Sequence, residues 1–514
     1  MNLLKALAAI SSMTLLSRIL GLIRDAVIAW QFGVSSGTDA FLVAFRLPNL
    51  LRRVFAEGAF SQAFVPILSE YRNTRSAEDT KTFVHHVSTL LALVLLAVTV
   101  LGILAAPVIV YISAPGFAAS PDKFQLTVEL LRVIFPYILF ISLTSLAGGI
   151  LNTWSRFAIP AFTPVLLNVS FIVFALWLTP YFDPPIKVLA WAVFAGGMLQ
   201  LAFMLPFLSR IGMLPKFMLQ FRDPGVWRLL KLMGPAIFGV SVSQVSLLIN
   251  TIFASFLVTG SVTWLYYADR LMELPTGLLG VALGTILLPS LSRSFAEKSG
   301  EEFSRLLDWG LRLTFLLALP CAVALAMLSI PLIATLFYHG AFEANDVAMT
   351  RQALVAYAVG LLGLILVKVL APGFYSRQDV RTPVKIGVAT LVATQVMNLV
   401  FLWGFGLGHA GLALAISLGA CMNAGMLFYK LRQGNFFSPQ AGWRSFAVKL
   451  LVALALMALA LGLTMGSEAQ WMQSNLSWRA TRLSMLVVSG AGVYFAALWA
   501  LGFRLRDFAK RGVS

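Results

Sequence analysis

Apolar runs of roughly 17–25 residues recur along this 514-residue chain, each long enough to cross a hydrocarbon core of about 30 Å. A backbone inside lipid must satisfy every N–H and C=O internally, so such runs fold only as helices or as strands of a closed barrel. Barrel strands would read as segments of about ten alternating residues, and the chain has none. The fold class is therefore an all-α polytopic membrane protein with about 14 transmembrane helices. The spans centre near residues 16, 50, 97, 138, 169, 198, 244, 280, 319, 362, 391, 420, 456 and 488. The first run meets Arg18 and Arg24 and lacks a small-x-small cleavage site, so it reads as a first span rather than a signal peptide.

The net charge of +17 invites a nucleic-acid reading, but its distribution argues otherwise. Bases gather in alternate loops: Arg72, Arg75 and Lys81; Arg210, Lys216, Arg222, Arg228 and Lys231; Lys430, Arg432, Arg444 and Lys449. The intervening loops near 31–38, 112–123, 180–187, 258–263, 339–347, 403–410 and 466–477 hold only Lys123 and Lys187. This is the positive-inside pattern, which predicts a multi-pass protein of the cytoplasmic (inner) membrane with both termini cytoplasmic. No nucleic-acid partner is needed to explain the surplus.

An internal repeat is visible. Val65-Pro66-Ile67-Leu68-Ser69 recurs as Leu288-Pro289-Ser290-Leu291-Ser292, and Trp154-Ser155-Arg156 with Thr163-Pro164 recurs as Tyr375-Ser376-Arg377 with Thr382-Pro383. Both pairs are offset by about 220 residues, which predicts two homologous six-helix halves of equal orientation. The expected division is an N-terminal lobe over 1–215, a cytoplasmic amphipathic linker over 216–232, a C-terminal lobe over 233–435 and a two-helix appendage over 436–514.

Charges interrupt the first two spans and the eighth. An Arg, Lys or Asp at mid-bilayer costs about 2.5–3.5 kcal/mol on translocon scales, so such residues face a bundle interior or a wet cavity. Thr14, Arg18, Gly21 and Asp25 share one face of the first helix, with Arg24 beside it. Asp39, Arg46, Asn49, Arg53 and Glu57 form a stripe in the second, flanked by Arg52, and Asp269, Arg270 and Glu273 lie one turn apart before Pro275. Pairing within the set, as of Arg270 with Glu273, is one reading, and snorkelling of Arg18 and Arg53 is another. The arginines outnumber the acids, however, and guanidinium binds phosphate bidentately, so a phosphorylated ligand suits the set best.

No P-loop, nucleophile elbow or His/carboxylate metal spacing is present, so the chain reads as a transporter rather than an enzyme. No cofactor or metal is expected, and the membrane potential or a monovalent ion is the candidate energy source.

The charged segments are also familiar. Ser17-Arg18-Ile19-Leu20-Gly21 through Arg24-Asp25, Thr38-Asp39-Ala40-Phe41, and Arg46-Leu47-Pro48-Asn49-Leu50-Leu51-Arg52-Arg53 resemble the MurJ (MviN) lipid II flippase family. The resemblance continues through Phe55-Ala56-Glu57-Gly58-Ala59-Phe60, Tyr266-Tyr267-Ala268-Asp269-Arg270 and Ala371-Pro372-Gly373-Phe374-Tyr375-Ser376-Arg377. That family belongs to the superfamily of multidrug, oligosaccharidyl-lipid and polysaccharide exporters. The resemblance implies two six-helix lobes in a V shape around a central cavity, plus two extra C-terminal helices. It implies that Arg18, Arg24, Arg52 and Arg270 contact a diphosphate, that Asp39 and Glu273 accompany them, and that the last two helices hold a polyprenyl tail. Arg46 departs from the lysine usual in that family but keeps the charge.

The implied cargo is lipid II, the undecaprenyl-diphosphate-linked muropeptide of peptidoglycan and cell-wall synthesis, moved by alternating access. Membrane lipids, and cell-wall synthesis proteins as further candidates, are the implied partners. The competing expectation is an exporter of another polyprenyl-diphosphate-linked glycan with the same architecture.

Overall fold

A computed structural model describes residues 3–53, 60–220 and 222–504. Glu57, in the second-span stripe, lies outside them. Among the described residues every regular element is a helix. Ten helical stretches are long and apolar enough to cross a membrane, and each contains one of the expected span centres. The other four centres, near 16, 50, 244 and 280, fall in the helices Leu3–Phe32, Ser36–Leu51, Pro224–Ser255 and Ser261–Ala296, which carry the charged and polar stripes. The chain divides into two compact units, Met1–Thr263 and Trp264–Ser514.

The first unit holds α1 (Leu3–Phe32), α2 (Ser36–Leu51), α3 (Ser61–Thr74), α4 (Ala77–Leu104), α5 (Ala106–Ser113), α6 (Pro121–Ile134), α7 (Tyr137–Thr153), α8 (Ala158–Val173), α9 (Lys187–Arg210) and α10 (Pro224–Ser255). Helix starts follow local chemistry. Ser35 caps α2 through a reciprocal pair with Thr38, and Asp223 accepts from the N–H groups of Gly225 and Val226 ahead of Pro224 at the start of α10. Helix α1 packs on α8, α2 on α6, and α7 and α8 on α9. One apolar core joins Phe64, Leu68, Phe83, Leu146, Ile150 and Met204, and α10 adds Val226 and Leu229 to it.

Helix α11 (Ser261–Ala296) starts in the first unit and runs into the second at Trp264. It is followed by α12 (Gly300–Met327), α13 (Ser329–Leu336), α14 (Ala344–Leu370), α15 (Pro372–Tyr375), α16 (Arg381–Leu399), α17 (Gly408–Gln433), α18 (Trp443–Thr464), α19 (Glu468–Gln473) and α20 (Leu476–Ala500). The tightest pairing is α14 on α17. Gly360 lies against Ser417, and a Cβ on Gly363 would stand 2.6 Å from the backbone nitrogen of Cys421. Small residues let membrane helices approach to backbone contact, where dispersion and Ser/Thr hydrogen bonds hold them. Ser417 Oγ donates to the Ala356 carbonyl at 2.7 Å across that seam. Gly363→Leu is expected to overpack it, costing about 1–3 kcal/mol or more, with a lowered thermal midpoint of the purified protein. An unchanged midpoint would mean that the seam has slack.

The repeat seen at two motifs runs through the helix boundaries. Helices α1 and α10 end at Phe32 and Ser255; α4 spans Ala77–Leu104 and α12 Gly300–Met327; α5 spans Ala106–Ser113 and α13 Ser329–Leu336; α8 begins at Ala158 and α16 at Arg381. The stride is a constant of about 223 residues. Even the irregularities recur, because α8 and α16 each run into a five-residue π-helical turn, Phe174–Leu178 and Val400–Gly404. The compact units and the repeat divide the chain differently. By stride α10 is the counterpart of α1, yet it packs on α3, α4 and α5, so the first compact unit runs past the linker to Thr263.

Candidate functional site

In the first unit the buried charged residues form separate nodes. The first is built around Arg24, which is 6% exposed and adjoins Asp25 at 2%. Its Nε and Nη2 donate to Asp25 Oδ1 at 2.9 and 2.7 Å, and Nη1 donates to Asn168 Oδ1 at 3.1 Å. The guanidinium lies 5.2 Å from the Phe171 ring centroid, and Asn168 also donates to the Ser17 carbonyl. Asn168 and Phe171 are one helical turn apart on α8, so the α1–α8 contact fixes the orientation of Arg24.

Asp39 forms the second node. Its carboxylate accepts from Lys123 Nζ at 2.9 Å, from Gly260 N–H at 2.7 Å, and from the N–H and hydroxyl of Thr263 at 3.1 and 2.7 Å. Asp39 thus caps the first turn of α11 as well as neutralising a lysine. Lys123 is itself buried, with its ammonium 4.2 Å from the Phe117 ring. These partners lie at the loops near 112–123 and 258–263, both on the side that the charge pattern reads as extracytoplasmic. Gly116 reinforces that end by donating to Ser255 Oγ at 3.0 Å.

Farther along α2, Arg46 donates to Thr251 Oγ1 at 2.7 Å and Arg52 Nε donates to Asn49 Oδ1 at 2.9 Å. Arg18 and Arg53 are exposed, as snorkelling requires. In the second unit Arg270 Nη1 pairs with Glu273 Oε2 at 2.7 Å, and its Nε donates to the Tyr266 hydroxyl at 3.2 Å. That pair is far more open than the Arg24 node, with side chains 31% and 53% exposed. One turn on, Lys368 Nζ donates to the Thr276 carbonyl at 3.3 Å, and its stem lies against Gly280.

The structure therefore brings together Arg24 with Asp25, Asn49 with Arg52, and Arg270 with Glu273. It also adds partners the sequence did not mark: Lys123, Asn168, Thr251 and Thr263. Lys123 carried a signal, as one of only two Lys/Arg residues in the seven loops of that side. No cluster of metal-ligating side chains occurs among the described residues.

The appendage carries an apolar cleft of about 520 Å3 between α18 and α20, lined by Leu456, Leu459, Leu463, Val493, Ala497 and Ala500. Asp308 of α12 anchors this hairpin. It accepts from Gln440 N–H at 3.0 Å and the Trp443 indole at 2.7 Å, and it pairs with Arg312 at 2.8 Å.

Paired arginines inside apolar helices and an open apolar cleft are each features that suit an amphiphile with an anionic head. The sequence profile described as "Lipid II flippase MurJ" matches residues 28–481. The chain belongs to the MurJ lipid II flippase family. The Lipid II flippase MurJ of Burkholderia cenocepacia is 49% identical over 99% of this chain and 100% of its own length. The probable MurJ flippase of Vibrio cholerae is 42% identical over 98% of this chain and 97% of its own. A solved MurJ structure, titled as the inward closed conformation, superimposes with a TM-score of 0.79 over 95% of this chain and 97% of its own, at 28% identity. An inward-facing multidrug resistance transporter of the MOP superfamily shares the fold at a TM-score of 0.67, covering 84% of this chain and 98% of its own at 16% identity. The MurJ match and the helical architecture make this a multi-pass membrane transporter rather than an enzyme.

Proposed function

We propose that this protein flips lipid II from the cytoplasmic to the periplasmic leaflet of the inner membrane by alternating access, with both termini cytoplasmic. The observation that carries the reading is the pair of arginine nodes at Arg24 and Arg270, each holding a guanidinium among apolar helices by side chains able to exchange it. A guanidinium binds carboxylate and phosphate with the same bidentate geometry, so a diphosphate competes directly with Glu273 for Arg270. The open Arg270–Glu273 pair would release first, whereas the buried Arg24–Asp25 pair would open only with movement of α1 on α8.

The polar head, too costly to pass through bare hydrocarbon, would travel past these groups, with Arg18, Arg46, Asn49, Arg52 and Arg53 continuing the cationic path along α1 and α2. The α18–α20 cleft would keep the polyprenyl tail in an apolar setting, as an appendage over 436–514 following lobes over 1–215 and 233–435. Energy would come from the membrane potential, worth about 2.3 kcal/mol per charge per 100 mV, or from a monovalent ion.

The test uses cells depleted of the native flippase, with an externally added enzyme that cleaves only lipid II exposed to the periplasm. Wild-type chain should restore cleavage and Arg270→Ala should not, with both present at equal levels in the membrane. Full cleavage without any flippase would reject lipid II as cargo and leave another polyprenyl-diphosphate-linked glycan.

A further inference from the structure

Between α4, α7 and α9 the first unit keeps an apolar cavity of about 240 Å3, roofed by the extended linker segment 213–220. Leu146, Ala147, Leu205 and Leu208 line its walls, and Lys216 and Phe217 of the linker stand at its rim. Side chains of α4 grip the backbone of this roof. Lys216 N–H donates to His85 Nδ1 at 3.2 Å, and Met218 N–H donates to Thr89 Oγ1 at 2.9 Å. At the far end Asp223 pairs with His86 at 2.6 Å while capping α10.

Met213 of the strap is buried in the core, but the apolar side chains after it are open. Phe217 is 78% exposed, and Leu214, Met218 and Leu219 are exposed beside it. Arg228 is taken by Glu70 at 2.8 Å, but among the described residues no acid pairs with Lys216, Arg222 or Lys231. The cavity is smaller than the roughly 300–1,000 Å3 of drug-sized sites. Its polar residues are also committed, Ser88 to the carbonyl of His85 in its own helix and Thr89 to the linker. Nothing inside would orient a polar metabolite. An alkyl chain below and an anion above fit both the dry slot and the unneutralised basic rim.

We propose that this cavity is a phospholipid site. It takes one acyl chain of an anionic phospholipid from the leaflet facing the linker, with the phosphate beside Lys216. Juxtamembrane bases select anionic over neutral lipid, so phosphatidylglycerol rather than phosphatidylcholine is the occupant. The lipid then steadies the strap that carries the α10 cap. This site does not rest on the cargo reading.

The full-length protein in nanodiscs would be photolabelled with phosphatidylglycerol carrying a diazirine near the end of one acyl chain, and adducts mapped by peptide mass spectrometry. Adducts are expected within 143–150 and 201–208. Ala147→Phe, which fills the slot, should reduce them about fivefold, as should Leu205→Trp from the opposite wall if the first variant folds poorly. Lys216→Glu should lower phosphatidylglycerol labelling about threefold, and a phosphatidylcholine probe should label only weakly throughout. Equal labelling by both probes in the wild type, or undiminished labelling of folded slot-filling variants, overturns the proposal. Displacement by an equal mole fraction of undecaprenyl phosphate also overturns it, by assigning the slot to a polyprenyl chain.

Discussion

Asp39→Ala is expected to destabilise the protein by about 3–5 kcal/mol, because it leaves the Lys123 ammonium buried without its carboxylate. The same change strips the acceptor from Gly260 N–H and from the N–H and hydroxyl of Thr263, so the first turn of α11 loses its cap. Charge and cap can be separated. Asp39→Leu combined with Lys123→Met removes both ions and should recover much of the loss, since apolar replacement of a buried pair is often neutral. It should not recover all of it, because the cap stays absent. Thermal unfolding of the purified variants reads both effects. An Asp39→Ala variant as stable as wild type would refute the role of this node, and full recovery in the double variant would refute the capping half.

Arg24→Ala should have the second large effect, and for two separable reasons. Removing the guanidinium takes the partner at 2.7 Å from an Asp25 carboxylate that is 2% exposed, again a loss of about 3–5 kcal/mol. Poor folding alone would therefore stop transport and say nothing about cargo. Arg24→Ala with Asp25→Ala relieves the buried charge and should return the protein to the membrane at near wild-type levels. If Arg24 contacts the diphosphate, the double variant remains unable to expose lipid II. Arg24→Lys should fall between, since an ammonium keeps the charge but cannot reach Asp25 and Asn168 together in the fork geometry. A double variant that transports like wild type would reduce Arg24 to a structural partner of Asp25.

Ten of the spans were legible because nothing interrupts their apolar runs, and length and hydropathy suffice there. The charged helices were legible as important but not as arranged. Helical periodicity assigns a residue to a face, not to a partner, and the decisive contacts join residues distant in sequence: Asp39 to Thr263, Arg24 to Asn168, Arg46 to Thr251. Counting arginines against acids gave a cationic surplus, yet Asp25 and Glu273 each hold an arginine and Asp39 holds a lysine outside that count. Lys123 stands out in the sequence only as an exception to the loop-charge pattern, and that exception is its signal. Asn168 carries no charge and sits in an apolar run, so nothing in the sequence separated it from ordinary interhelical polar residues. The repeat fared better in outline, with two motifs revealing a stride that then holds from the end of α1 to the start of α16.

That constant stride also speaks to ancestry. Helix boundaries that keep step from the end of α1 to the start of α8, and again from the end of α10 to the start of α16, leave little room for net insertion or deletion there if the halves were copied from one gene. A half-length ancestor with an even number of spans would have begun and ended on the same side of the membrane. Tandem joining then required only a connector, with no inversion of topology, and the strap before α10 now fills that position. Among the described residues the α18–α20 hairpin has no partner at this stride, and Asp308 ties it to α12.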